Sequence, residues 1–490
     1  MATNSISSEK GSSRSIGYAR VARLVGALGI MLLVGACKSL TPDGALSEVT
    51  SITATAIPQD VVAIRDEETK AAVDLRVKKL LARTLSADEA VQLAFFRNAG
   101  LQAELNELGI AETALVSASL PPAPTISVAR LSSSVEVEIE RRIVGNILAL
   151  ATLPARTEIA NDRFKQAKLR TAGKIYALAT DVRRAYYQAV ASQQVASLLE
   201  EAQSAAQAAN ELMRRLGTTG AVNKLDQARE QVFFAEITAQ LAVARQNASA
   251  DKEKLIRLLG LWGSESKVKL ASNLPSVPSN ARKLPLIERD ALLHRVDLQS
   301  ARIELDLLAR SYNLTQVSRF ITILDLAGIN NSTKEADGAR FRTRGVELEI
   351  QIPIFDLGET RLREAALTYQ QGLNKLQEKA INVRSEARET YKTYRSAHEI
   401  ALHYQREIVP LRKIISDEMV LRYNAMQIDV FELLTEARQR IAANVSAIEA
   451  QRNFWTASVS LFSAIVGGSS GSAPANSMSS APAANEAAGH

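Results

Sequence analysis

The residues whose spacing could do chemistry lie in two alternating runs. Val135, Val137 and Ile139 alternate with Glu136, Glu138 and Glu140; Val346, Leu348, Ile350, Ile352 and Ile354 alternate with Glu347, Glu349 and Gln351. Successive side chains of an extended segment point to opposite faces, so each run sets acids against aliphatics. Acids that line water favour cations; the plainer reading is the solvated face of a half-buried sheet. The remaining candidates do not assemble. His294, His398, His403 and His490 lack His-Glu-x-x-His spacing, and His398 and His403 stand five apart, which does not place them on one helix face. No glycine-rich phosphate loop or nucleophile elbow occurs. The chain is therefore expected to be no enzyme, with no catalytic residue, bound metal or cofactor.

The elements that position the two runs follow one plan, used twice. The first unit spans residues 85–262 and the second 284–467, joined by a Ser-, Pro- and Asn-rich linker at 263–283. Each opens with a helix. Ser86 is a natural N-cap with Glu89 completing a capping box, and Leu101-Gln102 matches Leu298-Gln299 in the second copy. Each alternating run has an upstream strand partner, Thr125–Leu131 and Phe320–Ala327, across loops expected at Ser132–Ser134 and Asn330–Gly338.

Long helices come next. Leu362, Tyr369, Leu376, Val383, Thr390, Ala397 and Tyr404 recur every seven residues, as do Ala366, Leu373, Ala380, Ala387, Tyr394, Ala401 and Ile408. That is an a/d coiled-coil seam. A weaker copy runs through Phe164, Ile175, Leu178, Val182, Ala185 and Ala189. Pro410 is expected to kink the second rod. The rods turn at Gly217-Thr218-Thr219-Gly220 and around Ala425-Met426-Gln427, and helices return over 225–259 and 430–465. Residues 468–490 are Gly-, Ser-, Ala- and Pro-rich and read as disordered.

The 490-residue chain carries 59 basic and 53 acidic side chains, a formal charge of +6. Residues 1–36 hold Lys10, Arg14, Arg20 and Arg23 against Glu9, so half of that excess belongs to a segment that reads as a signal peptide. The near-balanced remainder leaves no electrostatic footprint for nucleic acid. The apolar run Leu24–Ala36 ends in Gly35-Ala36-Cys37, which resembles a lipoprotein acylation box. Cys37 is the only cysteine and the expected lipidation site, the alternative being a free thiol behind a signal anchor; residues 37–84 would form the lipid-anchored segment. Lys38, rather than aspartate, at the next position implies release to outer-membrane lipid. No later run is long and apolar enough for a membrane helix, so any further crossing must use strands.

In order and spacing these features resemble the TolC-like outer membrane efflux proteins over about Leu85–Gly468. Pro353-Ile354-Phe355-Asp356-Leu357-Gly358, at the junction of strand and rod, carries the sharpest likeness. His294-Arg295-Val296-Asp297-Leu298 is similar to the start of the family's second repeat, with Val296 in place of proline; Leu225-Asp226-Gln227-Ala228 and Phe431-Glu432-Leu433-Leu434 resemble its returning helices. The stretch Tyr423–Trp455 is similar to channel subunits of copper or heavy-metal resistance systems.

The resemblance implies a mainly helical fold with a small β part. A coiled-coil tunnel would join strands that contribute to a trimeric twelve-stranded transmembrane barrel. It also implies a homotrimer that meets a periplasmic adaptor and an inner-membrane transporter at its helical tips. Those tips would be Gly217, Thr218, Thr219, Gly220, Ala425, Met426 and Gln427, where Ala425-Met426 departs from the family's glycine. Glu136, Glu138, Glu140, Glu347 and Glu349 would then line the barrel lumen. The expected function is passive export of small molecules or metal ions; the alternative is a structural envelope lipoprotein braced by its coiled coil.

Overall fold

The computed structural model describes residues 40–220 and 222–467; residues 1–36, Cys37, Lys38 and residues 468–490 lie outside them. The chain divides into two compact units, each assembled from separate stretches. One comprises the described residues up to Ala45 with Glu107–Ala167 and Arg302–Asn374; the other comprises Leu46–Asn106, Lys168–Ala301 and the described residues from Lys375.

The first unit contains one antiparallel sheet in the order β1 (Thr125–Ser132), β2 (Glu136–Asn146), β3 (Ile323–Glu335), β4 (Arg340–Gln351). The β1–β2 turn is closed by Ser133, whose hydroxyl accepts from Val135 N (3.2 Å) and Glu136 N (3.1 Å). β2 pairs with β3 along its whole length, from Glu136 opposite Glu335 to Asn146 opposite Asp325, although the two strands are far apart in sequence. The expected loop at Asn330–Gly338 is corrected: Asn330 to Glu335 continue β3, and only four residues, Ala336 to Ala339, turn. Turn propensity there yields to an interior strand with a ladder on each side. β1 and β4 each keep one edge unpaired.

β4 passes into a long helix through the turn Pro353–Gly358. Asp356 Oδ1 accepts from Gly358 N at 3.0 Å and Leu357 N donates to Pro353 O at 2.8 Å. Leu357 and Gly358 both have left-handed backbones, φ 49° and 74°. A Cβ on Gly358 would lie 2.4 Å from Arg319 O, so glycine is required there by space as well as by torsion.

The second unit is helical. Ser86 and Glu89 form the expected capping box at the start of α3 (Ala87–Arg97), after α1 (Leu46–Ala54) and α2 (Glu67–Leu81). α4 (Ala99–Ser119), α6 (Leu153–Thr218), α9 (Val296–Ser318) and α10 (Glu359–His403) have residues in both units; α5 is the short Ile147–Ala151 and α8 is Ile287–His294. α7 (Lys224–Leu259) and α12 (Val430–Val466) return along the second unit, and α11 is Val409–Asn424. Val383, Ala387, Tyr394 and Ala401 of α10 bury against Phe454, Ala457 and Leu461 of α12, using the heptad seam. Small alanines let the helices approach, and one aromatic layer fills the remaining gap.

The linker is tied down by hydrogen bonds. Tyr394 Oη and Tyr391 Oη accept from Arg282 N (3.1 Å) and Leu284 N (3.2 Å), His398 Nε2 meets Pro278 O at 2.7 Å, and Trp455 Nε1 donates to Pro275 O at 2.9 Å. Pro410 sits in the first turn of α11, directly after a π-helical turn at Tyr404–Ile408. The missing proline N–H and the bulk of its ring are absorbed by that wider turn.

Candidate functional site: a two-faced sheet and two helical turns

Residues directly opposite each other in an antiparallel ladder share a face. Following the register from β2 outward places Glu136, Glu138, Glu140, Glu347 and Glu349 on one face, together with Asp325 and Glu335. The opposite face carries Ile126, Val128, Ile143, Leu326, Val346, Leu348 and Ile350, all of them exposed. Val346 is 78% exposed and Ile126 68%, values that a soluble sheet avoids for aliphatics grouped on one surface.

The acidic face is partly compensated. Arg142 Nη2 lies 2.9 Å from Glu347 Oε2, and Asn331 Nδ2 donates to Glu138 Oε1 at 3.1 Å. Arg142, Asp325 and Glu335 were not among the sequence candidates. Asp325 was recoverable, since Leu324-Asp325-Leu326 repeats the same alternation. Arg142 was not, because its face depends on uninterrupted register through the Arg141-Arg142 pair.

The turns are built by capping. α6 continues through Gly217 and Thr218, so that helix stops two residues later than the glycine suggests; Gly220 then has φ 78°. Asn223 caps α7 by accepting from Asp226 N at 2.9 Å. At the other turn, Gln427 N donates to Arg422 O and Met426 N to Tyr423 O, both at 2.9 Å. This is a Schellman ending with methionine in the left-handed position usually given to glycine, at φ 58°. Met426 is 93% exposed. Asp429 caps α12 by accepting from Glu432 N at 2.8 Å. The two turns are neighbours: Asn223, Asp226 and Arg229 line one cleft with Asp429 and Phe431, and the Arg229 guanidinium lies 4.5 Å from the Phe431 ring centroid.

Two buried acids behind the turns were not legible in sequence. Glu230 is fully buried with both carboxylate oxygens unpartnered; burial pushes its carboxyl up, opposed by Arg438. Glu436 is buried and accepts from Arg412 Nη1 at 2.9 Å. Elsewhere in the helical unit, Arg295 forms a two-pronged pair with Asp297 (3.0 and 3.1 Å) and reaches Glu386 at 2.5 Å. Burial acts to raise the Asp297 carboxyl, but the Arg295 guanidinium overrides it and holds the group below the usual range.

Of the histidines in the described residues, His398 is buried against Phe454 and His403 faces Glu407 at 3.1 Å. Among the described residues no group of three His, Cys, Asp or Glu could hold a metal ion. No described helix is long and apolar enough to cross a membrane.

No protein-family model matches the chain, and no curated protein sequence does. Solved structures do. The chain is similar to a membrane protein from Pseudomonas aeruginosa (14% identity, TM-score 0.67, covering 77% of this chain and 92% of that one). It is similar to CusC, whose crystal structures concern folding and transmembrane channel formation (16%, 0.65, 80% and 92%). It is similar also to the open state of the Neisseria gonorrhoeae MtrE outer membrane channel (15%, 0.64, 80% and 89%). The fold is thus the TolC-like outer-membrane channel fold, mainly helical with a small antiparallel sheet.

Proposed function

We propose that this chain is the outer-membrane channel subunit of an efflux or secretion assembly, a passive conduit and not an enzyme. The observation that carries the proposal is the segregated sheet, with exposed aliphatics on one face and seven acids on the other. Exposed aliphatics on one face and acids on the other suit a sheet that stands between lipid and water. Its two unpaired edges favour closure with further copies of the chain, because an open edge in a bilayer leaves backbone groups unsatisfied. Four strands from each of three copies give twelve, the count implied by the family resemblance.

In this reading Glu136, Glu138, Glu140, Glu347 and Glu349 line the lumen as acidic rings. The turns at Gly217–Gly220 and Ala425–Gln427 meet a periplasmic adaptor, through which an inner-membrane transporter is coupled. Acylation of Cys37 adds a second hold on outer-membrane lipid. Residues 85–262 and 284–467 are two copies of one structural repeat. The cargo class is small molecules or metal ions. Conductance in a planar bilayer tests the proposal: purified chain should form cation-preferring channels, and stable insertion without conductance would instead support the envelope-bracing alternative.

A further inference from the structure

The face assigned to lipid is not apolar throughout. Its half nearest the β1–β2 and β3–β4 turns carries Arg130, Arg141, Lys334, Arg340, Arg342 and Arg344. All six are exposed, none pairs with an acid among the described residues, and the same face of the four strands holds no Asp or Glu. Lys334 stands directly opposite Arg340 in the ladder. Like charges in that position destabilise a sheet unless an anion joins them. The remaining half of the face, towards the helices, holds Ile126, Ile143, Leu326, Val346, Leu348 and Ile350. The cations are therefore confined to a belt near the turns, where Val128, Val137 and Ile139 lie among them, and the half towards the helices is a band without charge.

Every strand end opposite those turns connects to a helix or to the segment leading from one, so the belt lies at the end of the sheet remote from the helices of this unit. Resting on the reading that the helices are periplasmic, the belt falls at the outer leaflet of the outer membrane. That leaflet is rich in phosphorylated glycolipid. Arginine forks bind phosphate oxygens in pairs and remain charged at any relevant pH.

We propose that this belt is a binding surface for the phosphate-bearing headgroups of outer-leaflet glycolipid. The aliphatic band beside it holds the acyl chains of the same molecules. The occupant is a lipid because cationic and aliphatic surfaces are continuous on one face. A soluble polyanion would use only the belt.

The test is binding of a bis-phosphorylated glucosamine lipid to full-length chain in non-ionic detergent, with the dephosphorylated lipid as comparison. The phosphorylated form should bind at least tenfold more tightly. The triple variant Arg130→Gln, Arg342→Gln, Arg344→Gln should lose most of that preference, whereas Arg→Lys at the same three positions, which keeps the charge but not the fork, should keep part of it. Equal binding of the two lipids to the unsubstituted chain overturns the proposal without reference to any variant. So does full displacement by millimolar inorganic phosphate, or an undiminished preference in the Gln variant. Conductance in neutral-lipid bilayers separates this result from the channel reading: channels that conduct while showing no phosphate preference refute the belt alone, and absent conductance refutes the conduit.

Discussion

Arg142 of β2 reaches across β3 to Glu347 of β4, guanidinium to carboxylate at 2.9 Å. The contact spans the two halves of the sequence and neutralises one acid of an otherwise acidic face. Threefold closure would turn each unpaired acid into a ring, and this pair into a neutral ring. Glu347→Gln and Glu140→Gln each remove one negative charge per chain, but only the first leaves an unpaired Arg142 and so a basic ring. Under a salt gradient both should lower the cation preference, and Glu347→Gln/Arg142→Gln, which removes both partners of the neutral pair, should leave it close to that of the unsubstituted chain. An unchanged reversal potential in Glu347→Gln would mean that the pair does not face the ion path.

The two faces of β4 should respond oppositely to one substitution. Leu348→Lys places a charge among exposed aliphatics, at a cost of about 2–4 kcal/mol if that face lies at mid-bilayer. Trimer yield should fall sharply on size exclusion with light scattering. Glu349→Lys, one residue away, should assemble normally. The reverse outcome would invert the faces.

Much of this was legible in sequence, for identifiable reasons. Period-two alternation placed the five glutamates on common faces, and heptad spacing found Val383, Ala387, Tyr394 and Ala401, which are buried. Asn330-Asn331-Ser332 misled because turn residues also serve in a strand held from both sides, as Asn331 does in donating to Glu138. The Arg142–Glu347 pair and the buried Glu230 could not be read, since both depend on contacts distant in sequence. The basic belt was legible only in part: Arg340, Arg342 and Arg344 repeat at period two within β4, whereas Arg130, Arg141 and Lys334 join them only through the register of the ladder.

The turn at Met426 holds a non-glycine residue in left-handed torsion, at a cost of roughly 1 kcal/mol. Met426→Gly should remove that strain and slow amide hydrogen exchange over Tyr423–Gln427 by about fivefold, the equivalent of that energy. Unchanged exchange would show that the turn is not a local limit on stability. Gly358→Ala should act in the opposite direction, because its Cβ would meet Arg319 O at 2.4 Å in a left-handed backbone.

The Arg295–Asp297–Glu386 cluster predicts an acid dependence. Asp297 has a folded-state pKa below its ordinary 3.8, so the stability it contributes is present above that value and is lost as pH falls through the lowered one. Thermal unfolding followed from about pH 5 to about pH 2 should show a loss that is reduced in Asp297→Asn. An identical acid profile in both proteins would assign the loss to other carboxylates.

Cysteines placed at Thr218 and Gln427 should crosslink in cells to the adaptor, because each turn is exposed and the two are joined through the Arg229–Phe431 contact. Crosslinking only from Ser264, in the linker, would assign docking to that surface instead.

A sheet that forms a membrane wall has lipid on one side and water on the other, and a cysteine scan of Val346 to Ile350, in chain reconstituted into bilayers, distinguishes the two sides. A charged, water-soluble thiol reagent should label positions 347 and 349 and spare 346, 348 and 350. A fluorophore attached at 346, 348 or 350 before reconstitution should be quenched by brominated acyl chains. Labelling that ignores the two-residue period, or quenching confined to 347 and 349, would show that the aliphatic face does not meet lipid.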